Sequence, residues 1–295
     1  MTRIFHEIAV AERRYLSPGM VRLTFTGEGL EHFNSTGIAD EYLRLFFADE
    51  ETGEVVLPII DAEGRWTYRK DRPPVRCSTY TVRRFDKESR ELDIDFVVHG
   101  GGMASDWAMS VPIGGRITIN SPRGLYAPPS DTPWQLLMAD ATGLTALSRI
   151  LEQTPAHIRS QVVVEVADRD HEFALPDHPA AKVEWLHGSG NGVGPSRLDV
   201  VFDEISFPKE PIYLWVAAEQ TPARAIRKRA RANLKLKHDR YKIVAYWIEA
   251  LQDWTRRYEA LPEDVRTQID EVLAKSTDQE AARDFIETML DEYDL

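Results

Sequence analysis

Arg76-Cys77-Ser78-Thr79-Tyr80-Thr81-Val82-Arg83 brings together residue types that hold an anionic, ring-bearing ligand. Tyr80, Thr81 and Val82 favour a strand. Alternation along that strand sends Arg76, Ser78 and Tyr80 to one face and Cys77, Thr79 and Thr81 to the other. One face then presents a cation, a hydroxyl and an aromatic ring, a set suited to a phosphate and a flat ring system. An edge strand with a solvated Arg and a half-buried Tyr is the alternative. A second stretch, His99-Gly100-Gly101-Gly102-Met103-Ala104-Ser105, places glycines ahead of a helix. Glycines let backbone N–H groups approach a ligand, and a helix N-terminus attracts anions. If the strands before these two stretches pair, Arg76 and the glycine loop form a cradle for a pyrophosphate. A plain loop uses a glycine triplet equally well, and His99 reads more readily as a structural histidine than as a catalyst.

A third candidate is Asp140-Ala141-Thr142-Gly143-Leu144-Thr145, between a buried strand and a helix. The carboxyl end of such a strand is where doubly wound sheets bind nucleotides. Ala217-Ala218-Glu219-Gln220 occupies the equivalent end of a later strand. The segment is not a GxGxxG fingerprint, and a helix cap by Thr142 accounts for it as well. No His/Asp/Glu cluster has metal-ligand spacing, and no GxSxG elbow is present. The lone Cys77 excludes an internal disulfide framework and a cysteine-ligated cluster.

The elements that must position these residues fall into two rhythms. Short β-rich runs at 4–10, 20–25, 42–47, 54–58, 80–85, 92–98 and 116–120, separated by turn residues, predict an antiparallel barrel with one helix at 103–109. From Trp134, strands at 134–139, 161–167, 182–187, 213–217 and 241–246 alternate with helices at 144–152, 196–202 and 222–236. Ser196 is the expected cap of the second helix. This alternation predicts a doubly wound parallel sheet. Gly188–Pro195 reads as a flexible surface loop. The expected division is a barrel domain over 1–130, an α/β domain over 131–250 and a helical extension over 251–295, the extension read as two amphipathic helices.

The net charge of -12 argues against a nucleic-acid or anionic-membrane binder. Residues 251–295 hold 13 acidic and 5 basic side chains, whereas 224–242 hold nine Lys or Arg and one acid, Asp239. The basic stretch is a solvated face, a field for an anionic ligand, or a dock for the acidic tail. No run is long enough to span a membrane and no secretory signal is evident, so the cytoplasm is the expected compartment. Oligomeric state is open.

Motifs throughout residues 5–247 resemble the siderophore-interacting proteins of the ferredoxin-reductase superfamily, which are flavin-dependent ferric-siderophore reductases. The resemblance is carried by Arg76–Arg83, Leu92–His99 with Gly100, Ala104-Ser105-Asp106-Trp107-Ala108 and Ser121-Pro122-Arg123-Gly124. It continues in Asp140-Ala141-Thr142, Val164-Glu165-Val166 with Asp168, Val183-Glu184-Trp185 and Tyr246-Trp247. It implies FAD bound with Arg76 on its phosphate and Tyr80 and Thr81 against the isoalloxazine, with Ser78, Val82 and His99 around them. Gly102, Met103, Ala104 and Ser105 would hold the pyrophosphate. NADPH or NADH would enter over Asp140, Thr142 and Glu219; apart from the resemblance, Arg169, after the Val-rich strand, could meet a 2′-phosphate, with a plain surface Arg the commoner explanation. A ferric siderophore would meet Arg123, Arg65 and Lys70, and no protein ligand to iron is needed. Three departures bear on this, one being an acidic tail that extends beyond what a minimal member needs. Ala141 stands where the family has an acid, and Ile248 follows Tyr246-Trp247 where the family has Arg or Lys. A related flavin reductase acting on a quinone or a protein partner, or a non-enzymatic siderophore binder, is the alternative.

Overall fold

The computed structural model describes residues 4–60, 66–67, 71–276, 279–293 and 295. Two units divide the chain: Met1–Tyr126 with Thr145–Thr154 and Arg169–Asp177, and Ala127–Leu144 with Pro155–Asp168 and His178–Leu295.

In the first unit, alternating apolar side chains wrap a sheet onto itself. The strands are β1 (Phe5–Ser17), β2 (Met20–Thr26), β3 (Tyr42–Phe46), β4 (Ile59–Ile60), β5 (Trp66–Thr67), β6 (Cys77–Asp86), β7 (Glu91–Val97) and β8 (Arg116–Asn120). Six of them close an antiparallel barrel in the order β1-β2-β7-β6-β3-β8, and β4 pairs only with β5. Leu23, Phe25, Leu43, Leu45, Val82, Ile94 and Phe96 fill the interior. The intervening Asp93 and Asp95 of β7 are also buried. Arg22 grips Asp95 with two bonds of 2.6 and 2.9 Å, and Arg84 and Thr24 reach Asp93 at 2.8 and 2.7 Å. Buried carboxylates persist only when satisfied in this way. Helix α1 (Met103–Ser110) follows β7, and helix α2 (Leu144–Gln153) belongs with this unit from Thr145 onward. Thr145 donates to Asp95 at 3.0 Å and Arg149 to the Val82 carbonyl at 2.6 Å. The strand expected at 54–58 is absent: only Val55 pairs, in a single bridge with Ala48. Without a neighbouring strand to complete a ladder, its β propensity has nothing to act on.

The second unit holds β9 (Trp134–Asp140), β10 (Arg159–Val166), β11 (Ala181–His187), β12 (Ile212–Glu219) and β13 (Tyr241–Trp247), all parallel, in the order β11-β10-β9-β12-β13. β9 and β12 are buried along their whole length, as central parallel strands must be. Helices α3 (Leu198–Glu204) and α4 (Gln220–Ala232) cover the sheet through Val201, Phe202, Ala223 and Ile226. Strand order reverses at β9, with β10 on one side and β12 on the other.

Three helices, not two, form the C-terminal extension: α5 (Leu251–Glu259), α6 (Glu263–Lys275) and α7 (Gln279–Asp291). Ala250, left-handed at φ 51°, turns the chain out of β13 into α5, a break that apolar spacing does not register. The acidic tail docks on the basic helix. Buried Arg227 of α4 donates to Glu287 at 2.5 Å and to the Ile243 carbonyl. Asp284 of α7 lies 3.1 Å from Arg231 and accepts from Tyr241 at 3.0 Å. No helix among the described residues is long and apolar enough to cross a membrane.

Candidate functional site

Antiparallel pairing of β6 with β7 puts Arg76 and the loop after Val97 at the same end of the barrel. Arg76 lies one residue before β6, its carbonyl fixed by the Phe47 N–H at 2.8 Å and its guanidinium 2.6 Å from Glu50. Ser78 and Tyr80 are half-buried, and Thr81 is buried opposite Tyr42 of β3. The Tyr80 ring packs 4.4 Å from Phe96, and burial pushes its phenol pKa up, so the group stays neutral. Val82 is wholly buried in the core. Its N–H donates to Glu41 and its carbonyl accepts from Arg149. Val82 therefore contributes no free polar group, and its part is to hold Tyr80 and Thr81 in place.

The glycine stretch has the build expected of an anion cradle. Gly101 takes φ +79°, a left-handed value that disfavours other residues. A Cβ on Gly102 would overlap the His99 ring, while one on Gly100 or Gly101 would meet nothing within 4 Å. The room beside that backbone is open to a ligand. Ser105 is buried and accepts the His99 N–H at 3.0 Å, which closes the loop. Gly102, the N-cap of α1, provides no side-chain cap, so the first-turn N–H groups of Met103, Ala104 and Ser105 take none. His99 is thereby a loop-shaping residue. These residues fit FAD: a cation, uncapped helix donors, a hydroxyl-bearing strand and an aromatic ring lie at one barrel end.

In the second unit the carboxyl edge of the sheet gathers three buried acids on adjacent strands: Glu165 of β10, Asp140 of β9 and Glu219 of β12. Asp140 Oδ1 accepts from the Thr142 N–H (2.8 Å) and hydroxyl (2.5 Å). Its Oδ2 accepts from the Glu219 N–H (2.9 Å) and the Trp247 indole (2.6 Å). Burial pushes the Asp140 pKa up, and these four donors oppose the rise. Glu219 caps α4 through the Thr221 N–H at 2.6 Å and accepts the Glu249 N–H at 3.1 Å. Both acids are thus occupied with shaping the turns around them. Thr142 is half-buried, and its hydroxyl, which donates to Asp140, retains acceptor capacity.

Arg169 is exposed in the stretch Arg169–Asp177, which belongs with the barrel unit and not with Asp140, Thr142 and Glu219. Arg123 is exposed, its backbone paired with Tyr42. Arg65 and Lys70 lie outside the described residues. No group of three or more potential metal ligands occurs among the described residues. The loop Gly188–Pro195 differs from the flexible segment expected. Ser189 and Gly190 are buried, and Ser189 and Ser196 donate to Glu165, each at 2.7 Å. Ser196 does both jobs: its hydroxyl donates to Glu165 and accepts the N–H of Leu198, the first residue of α3, at 3.2 Å, although the N-cap position itself is Arg197. An acid inside the run Val162-Val163-Val164-Glu165-Val166 was the available signal, since a buried strand tolerates a charge only with partners.

The profile of the siderophore-interacting FAD-binding domain matches residues 9–126, and that of the siderophore-interacting protein matches 132–250. The NADPH-dependent ferric-chelate reductase of Escherichia coli is 32% identical over 248 residues, 82% of this chain and 92% of that protein. The chain belongs to the siderophore-interacting protein family. Ferric vibriobactin reductase ViuB of Vibrio cholerae is 28% identical over 80% of this chain and 86% of its own length. The solved siderophore utilization protein from T. fusca aligns with a TM-score of 0.73 at 30% identity, covering 85% of this chain and 96% of that one. The barrel followed by a parallel sheet is the fold of this family, and the FAD-binding profile spans the cradle at Arg76 and Gly102. The extension after Ala250 lies beyond both profiles.

Proposed function

We propose that this siderophore-interacting protein is a cytoplasmic reductase that takes electrons from NADPH or NADH and delivers them through FAD to a ferric siderophore, freeing iron as Fe(II). The observation that carries the reading is the cradle of β6 and α1 inside a family FAD-binding domain, followed by a sheet with a nucleotide-type switch point. FAD, when bound, supplies the conversion between a two-electron hydride donor and a one-electron Fe(III) acceptor. The protein's share is placement. Arg76 pairs with the phosphate, and the α1 N-terminus receives the pyrophosphate charge. Tyr80 and Thr81 fix one face of the ring, and the neutral Tyr80 phenol adds no charge there. Ser78 offers a hydroxyl, and His99 holds Gly102 in its close-approach position. In the α/β domain, Thr142 and Glu219 border the nucleotide crevice, and Asp140 locks their turns. Arg123, Arg65 and Lys70 are assigned to the siderophore. The functional division is 1–130, 131–250 and 251–295.

The purified protein should be yellow. Anaerobic NADPH or NADH should bleach it, and a ferric catecholate or hydroxamate should restore the colour as Fe(II) appears in a ferrozine assay. Colourless protein that takes up no added FAD would overturn the reading. Ile248 favours a second reading, in which the acceptor is a quinone or a protein partner, because an uncharged sec-butyl side chain stands where an anionic chelate would want a cation. Faster reoxidation by a quinone than by any ferric chelate would select it.

A further inference from the structure

Glu165 and Asp140 stand opposite one another in the register of β10 and β9, at the edge where a parallel sheet receives nucleotides. Glu165 is fully buried, and its carboxylate takes three donors: the hydroxyls of Ser189 and Ser196 and the Arg197 N–H, each at 2.7 Å. All three come from the segment after β11. The segment also leaves no room beside the acid, since a Cβ on Gly190, at φ +61°, would overlap Glu165 Oε2. Between the acid and the turn after β9 sits Asn191. Its backbone is left-handed at φ 54°, a region Asn enters more readily than most residues. Its Nδ2 donates to the Glu165 carbonyl at 3.0 Å, and its Oδ1 accepts the Ala141 N–H at 3.0 Å. An N–H partner on one side and a carbonyl on the other fix the orientation of the amide.

These contacts have a chemical consequence for the turn Ala141–Gly143. The Ala141 N–H is consumed by Asn191 and the Thr142 N–H by Asp140. The turn thus serves a nucleotide by its shape, not by these two backbone donors. Its shape is set from below by Gly143, where a Cβ would sit 2.6 Å from the Ala217 carbonyl, and from the side by Asn191.

We infer that Asn191 is a positioning residue for the pyridine nucleotide: it joins the glycine loop Gly188–Gly194 to the Asp140–Gly143 turn as two walls of one crevice, on a base set by Glu165. The inference rests on the reductase reading above. Holding the walls in place before binding lowers the ordering cost of the complex. The barrel contains none of these residues, so flavin binding does not depend on them.

The test compares wild type with Asn191→Gly, which keeps the left-handed backbone and removes the amide, and Asn191→Asp, which keeps the acceptor and sets an oxygen against the Glu165 carbonyl. Calorimetric titration of the full-length, flavin-free protein with NADP+ and NAD+ should show Kd raised about tenfold in both variants. In FAD-loaded protein with ferricyanide as acceptor, KM for the nucleotide should rise more than kcat falls, with the flavin spectrum unchanged. Hydrogen exchange should quicken in both 188–195 and 140–143. If the variants fail to fold, Ser189→Ala, which removes one of three donors to Glu165, should still raise Kd measurably. Wild-type Kd and KM in these variants, with or without faster exchange, would overturn the inference alone. Wild-type protein that binds neither nucleotide would overturn the reductase reading and the inference with it.

Discussion

Arg76 and Glu50 form an ion pair in which the Glu50 side chain is 81% exposed. Such a pair contributes about 0–1 kcal/mol, whereas a charge-assisted contact to phosphate is worth roughly 1.5–3 kcal/mol. Exchange of the carboxylate for a phosphate is therefore downhill. Arg76→Ala should raise the FAD Kd about tenfold or more in a flavin-fluorescence titration, while Glu50→Gln leaves it equal or lower. Unchanged occupancy in Arg76→Ala would put the phosphate elsewhere. Asp140 is a different kind of residue, for it receives four donors and offers none. Asp140→Asn keeps the shape but turns an NH2 group toward N–H or O–H donors, at a cost of about 1–3 kcal/mol in urea unfolding. Cys77, half-buried on β6, has its thiol pKa raised by burial, a rise that the Arg44 charge opposes. The thiolate is the reactive form, and here it appears only above the ordinary thiol range. Native protein should thus react slowly with iodoacetamide at pH 8, faster as pH rises, and fully once unfolded; rapid native labelling at pH 8 would contradict the burial.

At the level of elements, α7 and α4 share a buried charge. If the chain stops after Ala250, Arg227 loses its Glu287 partner and Tyr241 its Asp284 partner, and hydrogen bonds to charged groups contribute about 1.5–3 kcal/mol each. Truncation at 250 should lower the urea midpoint accordingly, and Arg227→Met in the truncated chain should recover part of the loss. Equal stability of the full and truncated chains would make the extension an ornament. These same elements show what a linear pattern conveys. The barrel strands and the parallel strands were legible because each alternates or runs apolar over its own few residues. The helix 251–259 was not, because its start is a single left-handed residue, Ala250, and not a change in apolar spacing. Gly188–Pro195 looked loose because glycine usually signals freedom. What pins it is Glu165, more than twenty residues earlier, and only the parallel register brings the two together.

For the whole molecule, the closeness of Arg76 to the glycine loop was legible because both lie in short motifs at the ends of one hairpin, β6–β7. The carboxyl edge of the parallel sheet was legible in place but its ties were not: Asp140 and Glu219 were expected at a ligand, while the structure ties both into turns and adds Asn191 and Trp247 as partners from distant segments. The docking of the extension also settles the fate of the basic helix. Arg224, Arg227 and Arg231 are engaged by the chain from 284 to 295, and Arg229 by Asp199 and Asp203. In a molecule of net charge -12, these four arginines of α4 are thus paired internally and leave little positive field with which to draw in an anionic pyridine nucleotide. Encounter is then opposed by long-range repulsion, which salt screens over roughly 8–10 Å. Raising ionic strength from low values should speed capture of NADPH in stopped-flow traces, the reverse of what an electrostatically steered enzyme shows, and speed at which this reductase fills would be governed by the medium as much as by its crevice.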